Sequence, residues 1–129
     1  ASWYVHNRVK ENFQLNQVFY GEHLTRYRKP IALCESEKTA ICMSVFEPEY
    51  NWLASGGAMM LNSERLKRVK PLNFVSPDNR MYNDWMRRTK NFLSGDMDYR
   101  VERAVKDGIL KEGADILDLI LKEKGLENV

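Results

Sequence analysis

Cysteine is scarce in this chain. Only Cys34 and Cys42 occur among 129 residues, too few for a disulfide framework, and neither has a partner at zinc-site spacing. Free thiols of this kind suit a reducing compartment. Long apolar runs are missing too: no segment reaches the length that spans a bilayer. The N-terminus carries no signal-peptide pattern, so a cytoplasmic location without membrane contact is expected. A dominant charge is also absent, since 20 Lys and Arg against 18 Asp and Glu leave a formal net charge of +2, which selects no partner by itself. The chain has no Gly-Lys-Ser/Thr ending of a P-loop and no dinucleotide-binding fingerprint. Internal repeats and low-complexity linkers are lacking as well.

What is present is the composition of a folded domain. Hydrophobic residues make up 43% and charged residues 29%, which excludes a disordered tail and permits one real core. Residues 1–129 are read as a single domain, and the abrupt start at Ala1-Ser2-Trp3-Tyr4 suits a piece of a longer chain. The basic residues fall in three clusters: Arg26, Arg28 and Lys29; Arg65, Lys67, Arg68 and Lys70; Arg87, Arg88 and Lys90. Each cluster can meet phosphates or form the solvated face of a helix, and charge alone favours the solvated face.

The pattern along the chain alternates strand and helix. Trp3-Tyr4-Val5 reads as a short strand, Gly21 as a turn and residues 22–27 as a short helix carrying His23, a structural histidine. Ile31 to Cys34 is an apolar run with Pro30 at its mouth and reads as a buried strand. Ser36 caps a helix that runs to Phe46, and Pro48 marks its end. Asn51 to Ser55 is a second strand, closed by Gly56-Gly57. Asn62 or Ser63 caps a helix through Val69, and Pro71 to Val75 is a third strand. The stretch from Asn79 predicts a helix with Met81, Tyr82, Trp85, Met86, Thr89 and Phe92 on its core face, stopped by Ser94-Gly95. Asp98 to Val101 predicts a last strand, Ala104 to Leu110 a helical turn, and Gly113-Ala114-Asp115 the opening of a final helix with Asp115 and Asp118 in its first turn. The expected class is α/β, Rossmann-like, with a mostly parallel sheet of about four strands flanked by helices.

Two carboxylates follow strands in this scheme. Glu35 comes directly after the first strand and Asp78 just after the third. If those strands are neighbours, both acids converge at one sheet edge, where ligands of open α/β sheets bind. Such a pair suits Mg²⁺ or Mn²⁺, which take oxygen ligands and bridge to substrate phosphates. Lys38 in the following helix turn reaches toward a phosphate, that helix's N-terminus adds donors, and Gly56-Gly57 allows a positive φ or a close backbone approach. Each residue also has a plainer role: Glu35 and Glu37 as helix-start acids, Asp78 as a turn residue, Lys38 as a solvated charge.

The blocks Ile31-Ala32-Leu33-Cys34-Glu35-Ser36-Glu37-Lys38-Thr39-Ala40, Trp52-Leu53-Ala54-Ser55-Gly56-Gly57 and Leu72-Asn73-Phe74-Val75-Ser76-Pro77-Asp78 resemble the toprim domain. The resemblance is greatest to primase-like proteins of bacterial mobile elements and phages. It implies that Glu35 acts as general acid/base or metal holder and that Asp78 is the first aspartate of a metal-binding Asp-x-Asp motif. The second aspartate is replaced by Arg80, a positive side chain that counts against a bound cation and can instead meet a phosphate; Asp84 or Glu37 are the substitutes within reach. The implied function is a toprim-like domain of a DNA primase-related replication protein, binding Mg²⁺ and the phosphates of DNA or RNA, with other replication-protein domains as partners. The alternatives are a non-catalytic toprim module for nucleic-acid or partner binding and a small toprim nuclease.

Overall fold

The computed structural model describes residues 29–56, 61–69 and 71–126. The readings at Trp3-Tyr4-Val5, Gly21, residues 22–27 and His23 lie outside these, as do Arg26, Arg28, Gly57 and Lys70.

Four strands form the sheet: β1 (Ile31–Cys34), β2 (Asn51–Ala54), β3 (Leu72–Val75) and β4 (Leu93–Met97). Among the described residues five helices accompany them: α1 (Glu37–Phe46), α2 (Ser63–Arg68), α3 (Tyr82–Thr89), α4 (Arg100–Lys106) and α5 (Ile116–Glu123). The strand order is β2-β1-β3-β4 and every pairing is parallel. This is the α/β, Rossmann-like architecture that the strand–helix alternation predicts. The step from β1 to β2 moves toward one edge, and the steps to β3 and β4 move toward the other. α1 packs with one core cluster and α2 and α3 with the other. Opposite directions on opposite faces give all three crossovers one hand, as parallel units require.

Alternation along the short strands builds both cores. Ala32, Cys34, Trp52 and Ala54 face one side and pack with Ala40, Met43, Val101, Ala104, Ile116 and Ile120 from α1, α4 and α5. Leu33, Leu53, Leu72 and Val75 pack on the other side with Leu61, Leu66 and the fully buried Trp85. A sheet covered on both faces explains why β1 and β2 read as unbroken apolar runs. Local signals set the ends. The Ser36 hydroxyl accepts from Thr39 N–H at 3.2 Å and starts α1. The Asn62 side chain accepts from Arg65 N–H at 3.0 Å and starts α2. Asp115 and Asp118 form a reciprocal capping box on α5.

Two expectations are corrected beyond β3. First, α3 begins at Tyr82 and not at Asn79. Arg80 sits at φ 77°, a left-handed conformation that no helix interior accommodates. Of the expected apolar stripe, Trp85 and Thr89 are buried, while Met86 is exposed. Second, the last strand is Leu93–Met97, so Ser94-Gly95 lies inside a strand, and residues 100–106 form a helix where Asp98 to Val101 reads as a strand. The reason is a bulge. Leu72 pairs with Leu93 but Phe74 pairs with Asp96, so β4 carries one extra residue opposite Asn73. In α4, Val101 and Ala104 point into the core at a spacing of three.

Candidate functional site at the carboxyl edge of the sheet

β1 and β3 are direct neighbours. The chain leaves β1 toward β2 on one side, while β3 flanks it on the other, so the crevice between their carboxyl ends is the topological switch point of the sheet. Glu35 and Asp78 stand on its two walls. Both are half-buried. Burial, the neighbouring Glu35 carboxyl and the negative charges of Asp115 and Asp118 push Asp78 up to about 8.

The other strand ends complete the edge. Past β2, Ser55 N–H donates to the Cys34 carbonyl at 3.0 Å and Gly56 N–H to the Glu35 carbonyl at 2.8 Å. Gly56 adopts φ 83°, the positive φ that its turn role calls for. Past β3, Ser76 Oγ donates to Asp98 at 2.8 Å. Asp98 follows β4, is 5% exposed, and is held at 2.9 Å by both Nε and Nη2 of Arg100. Arg100 also donates to Glu47 at 2.6 and 3.1 Å. Burial alone would lower the Arg100 pKa, but the bonds to Glu47 and Asp98 raise it, so the guanidinium stays charged. This network was not visible as a site in the sequence, where residues 98–101 read as a strand.

Asp115 is the acid that sequence reasoning assigned only to the helix dipole. It caps α5, and its Oδ2 accepts from the Thr39 hydroxyl at 2.8 Å, tying α5 to the start of α1. Burial pushes its pKa up against the donors from Asp118 N–H and Thr39, and the charge of Asp118 adds to the rise. The thiol of Cys34 lies just below. Burial raises its pKa well above the ordinary value, and the charges of Asp78, Asp115 and Glu35 raise it further. It therefore stays a thiol, hydrogen-bonded to the Leu53 carbonyl at 3.4 Å, and takes no part as a nucleophile.

The remaining candidates are placed as follows. Lys38 is exposed in the first turn of α1. Arg80 forms an exposed ion pair with Glu112, and its backbone N–H donates to Glu102 at 2.6 Å. Asp84 pairs with Arg87 at 2.5 Å and Arg88 at 3.0 Å on its own helix. In the second basic cluster Arg65 is buried, with Nη1 3.4 Å from the Ser55 carbonyl, and so belongs to no solvated face. Among the described residues, no group of three or more His, Cys, Asp or Glu is arranged to hold a metal ion. An open groove of about 600 Å³ lies between residues 108–114 and α5, with Lys111, Asp118 and Lys122 in its lining. It meets the acidic edge only through Asp118.

The position of Arg80 bears on its expected conflict with a cation. Its charge is compensated by Glu112 and open to solvent, where such pairs exert little force. Arg80→Gln should therefore change the divalent-metal affinity of the edge by less than about threefold, measured by titration calorimetry with Mn²⁺. A tenfold or larger gain would show that Arg80 opposes the ion directly.

The sequence profile of a family described as Domain of unknown function (DUF6371) matches residues 1–79. The chain belongs to this family. The matched stretch holds β1, β2 and β3 with Glu35, Lys38, Gly56, Gly57 and Asp78; Arg80, β4 and the capping acids of α5 lie beyond it. No curated protein and no solved structure matches the chain.

Proposed function

We propose that this DUF6371 chain is a toprim-like domain of a cytoplasmic, DNA primase-related replication protein, and that its acidic edge binds a divalent cation together with nucleic-acid phosphates. The observation that carries the reading is that β1 and β3 are neighbours, which brings Glu35 and Asp78 to one switch point, close enough for Glu35 to raise the Asp78 pKa. The donor set fits Mg²⁺ or Mn²⁺. It consists of two carboxyl groups, all oxygen, and magnesium at phosphate sites commonly takes one or two carboxylates with waters and substrate oxygens. The proton that Asp78 retains is what a divalent ion would displace. Once bound, such an ion neutralises the charge that develops on a phosphate. The protein's own contributions are local. Asp78 holds a proton at this edge, the Glu35 carboxyl stands opposite it, the N-terminus of α1 presents donors at the same edge, and Lys38 adds positive charge. A membrane role has no support among the described residues, where no helix is long and apolar enough to cross a bilayer.

Titration calorimetry with Mn²⁺ tests the reading. The wild-type chain should bind saturably, and Glu35→Gln and Asp78→Asn should each abolish the signal. No binding at millimolar metal would end the metal-dependent reading and with it primase-type and nuclease activity. The second reading would then stand: a metal-free module that binds nucleic acid or another replication domain. Arg80, in place of a second acid two residues after Asp78, is the observation that favours it.

A further inference from the structure

Large hydrophobic side chains are seldom exposed in the described residues, and one of the exceptions lies at the functional edge. Tyr99 is 38% exposed. It follows Asp98 just past the carboxyl end of β4, and β4 pairs with β3, the strand that the Asp78 turn follows. Tyr82, at the start of α3, meets it edge to face with ring centroids 5.0 Å apart. The turn that carries Tyr99 is pinned on both sides, since Asp98 N–H donates to the Val75 carbonyl at 2.7 Å and Arg100 N–H to Asp98 at 3.0 Å. Lys106 Nζ lies over the Tyr99 ring, 5.4 Å from its centroid, and Arg103 is exposed on the same helix, near enough to Lys106 to act on that ammonium. The acid of this group, Glu102, is engaged by Asn79 at 3.0 Å and by the Arg80 N–H. The result is a fixed, part-exposed aromatic ring with the Lys106 cation over it and the exposed Arg103 on the same helix, in line with Glu35 and Asp78 along one sheet edge.

We propose that Tyr99, braced by Tyr82 and accompanied by Lys106, with the exposed Arg103 on the same helix, is a stacking platform for a base of single-stranded nucleic acid drawn across the carboxyl edge. The ring supplies the sequence-tolerant π-face and the cations supply attraction for the backbone, the combination by which single strands are held. Duplex bases are already stacked on each other and gain nothing from it. This deepens the proposed function by naming the strand state of the substrate, and it rests on that reading.

Fluorescence anisotropy with a labelled oligothymidylate tests it on the full chain in Mg²⁺. Tyr99→Ala should weaken single-strand binding roughly tenfold, Tyr99→Trp should restore it, and binding of a duplex of equal length should not change. The salt dependence of Tyr99→Ala should keep the wild-type slope, whereas Lys106→Gln should lower it by about one. Thermal melts of each variant separate lost binding from lost fold. Equal affinity of wild type and Tyr99→Ala, or an equal loss on duplex, overturns the platform and leaves the acidic edge standing. Absence of any wild-type binding to the oligonucleotide overturns the platform and the nucleic-acid reading together, while the Mn²⁺ titration of Glu35 and Asp78 still scores the metal reading by itself.

Discussion

Asp78→Asn is expected to raise the stability of the fold at pH 8.5 while it removes divalent-metal binding. In the folded chain Asp78 keeps its proton up to about pH 8, whereas an unconstrained aspartate ionises near 3.8. Below the lower value both the folded and the unfolded chain hold the proton, and the group costs the fold nothing. Between the two values the unfolded chain releases the proton and the folded chain does not, so stability falls as pH rises. The loss is complete once pH passes the folded value. Burial is the largest cause, and the acids that add to it face Asp78 from two elements: Glu35 at the end of β1, and Asp115 and Asp118 at the start of α5. Asparagine keeps the shape, carries an amide that can donate to a carboxylate, and never ionises. Allowing for the solvent that reaches Asp78, the gain should be about 2 kcal/mol, or roughly 5 °C in Tm, and it should shrink toward pH 5. Mn²⁺ should raise the wild-type Tm at pH 8.5 by mass action and leave that of Asp78→Asn unchanged. Scanning calorimetry across pH 5 to 9 checks both arms. A wild-type Tm that is flat over this range, or an Asp78→Asn variant less stable than wild type at pH 8.5, would remove the repulsive site from the account. A stabilising substitution that destroys binding is the signature of a functional group kept at a cost to the fold.

The site's first half was legible because its signals are local. An apolar run, an acid and a good cap fix Glu35 at the end of β1 and the start of α1 within a few residues, and Asn62 and Pro71 do the same for α2 and β3. The adjacency of β1 and β3 was open in the sequence, since strand order is set by packing across the whole sheet. What failed to show was the second half. Ser94, Gly95 and Asp96 are all exposed, so β4 has no apolar alternation to read, and its glycine looks like a stop. Asp98, Tyr99, Arg100 and Val101 alternate like a strand, yet Asp98 is buried to meet Ser76 and Arg100, and Val101 faces the core from a helix. Asp115 reads as a cap, which it is. Its link to Thr39, 76 residues away, is a tertiary contact with no local signature.

Gly95→Ala is the substitution expected to damage the fold most, and the reason is a backbone and not a torsion angle. Gly95 is absent from the residues with positive φ, so alanine meets no conformational penalty there. A Cβ at Gly95 would instead lie 1.8 Å from the Asn73 carbonyl oxygen and 2.7 Å from its carbon. That obstacle cannot swing aside. The Asn73 side chain accepts from Ile31 N–H at 2.9 Å and donates to Ser94 at 3.3 Å, which ties β3 to β1 and to β4 at the bulge. Relief requires β4 to part from β3. The cost should be about 3 kcal/mol or more, with a Tm roughly 10 °C lower, whereas Ser94→Ala beside it should stay within about 1 kcal/mol. Thermal and urea melts of the two variants give the comparison, and a Gly95→Ala chain as stable as wild type would mean that the bulge is not held as described. The damage should also reach the edge. The extra residue in β4 sets which way Asp98 and Tyr99 emerge, so a chain that survives Gly95→Ala by straightening the strand should lose the Asp98–Arg100 contact and, with it, the fixed position of Tyr99 against Tyr82.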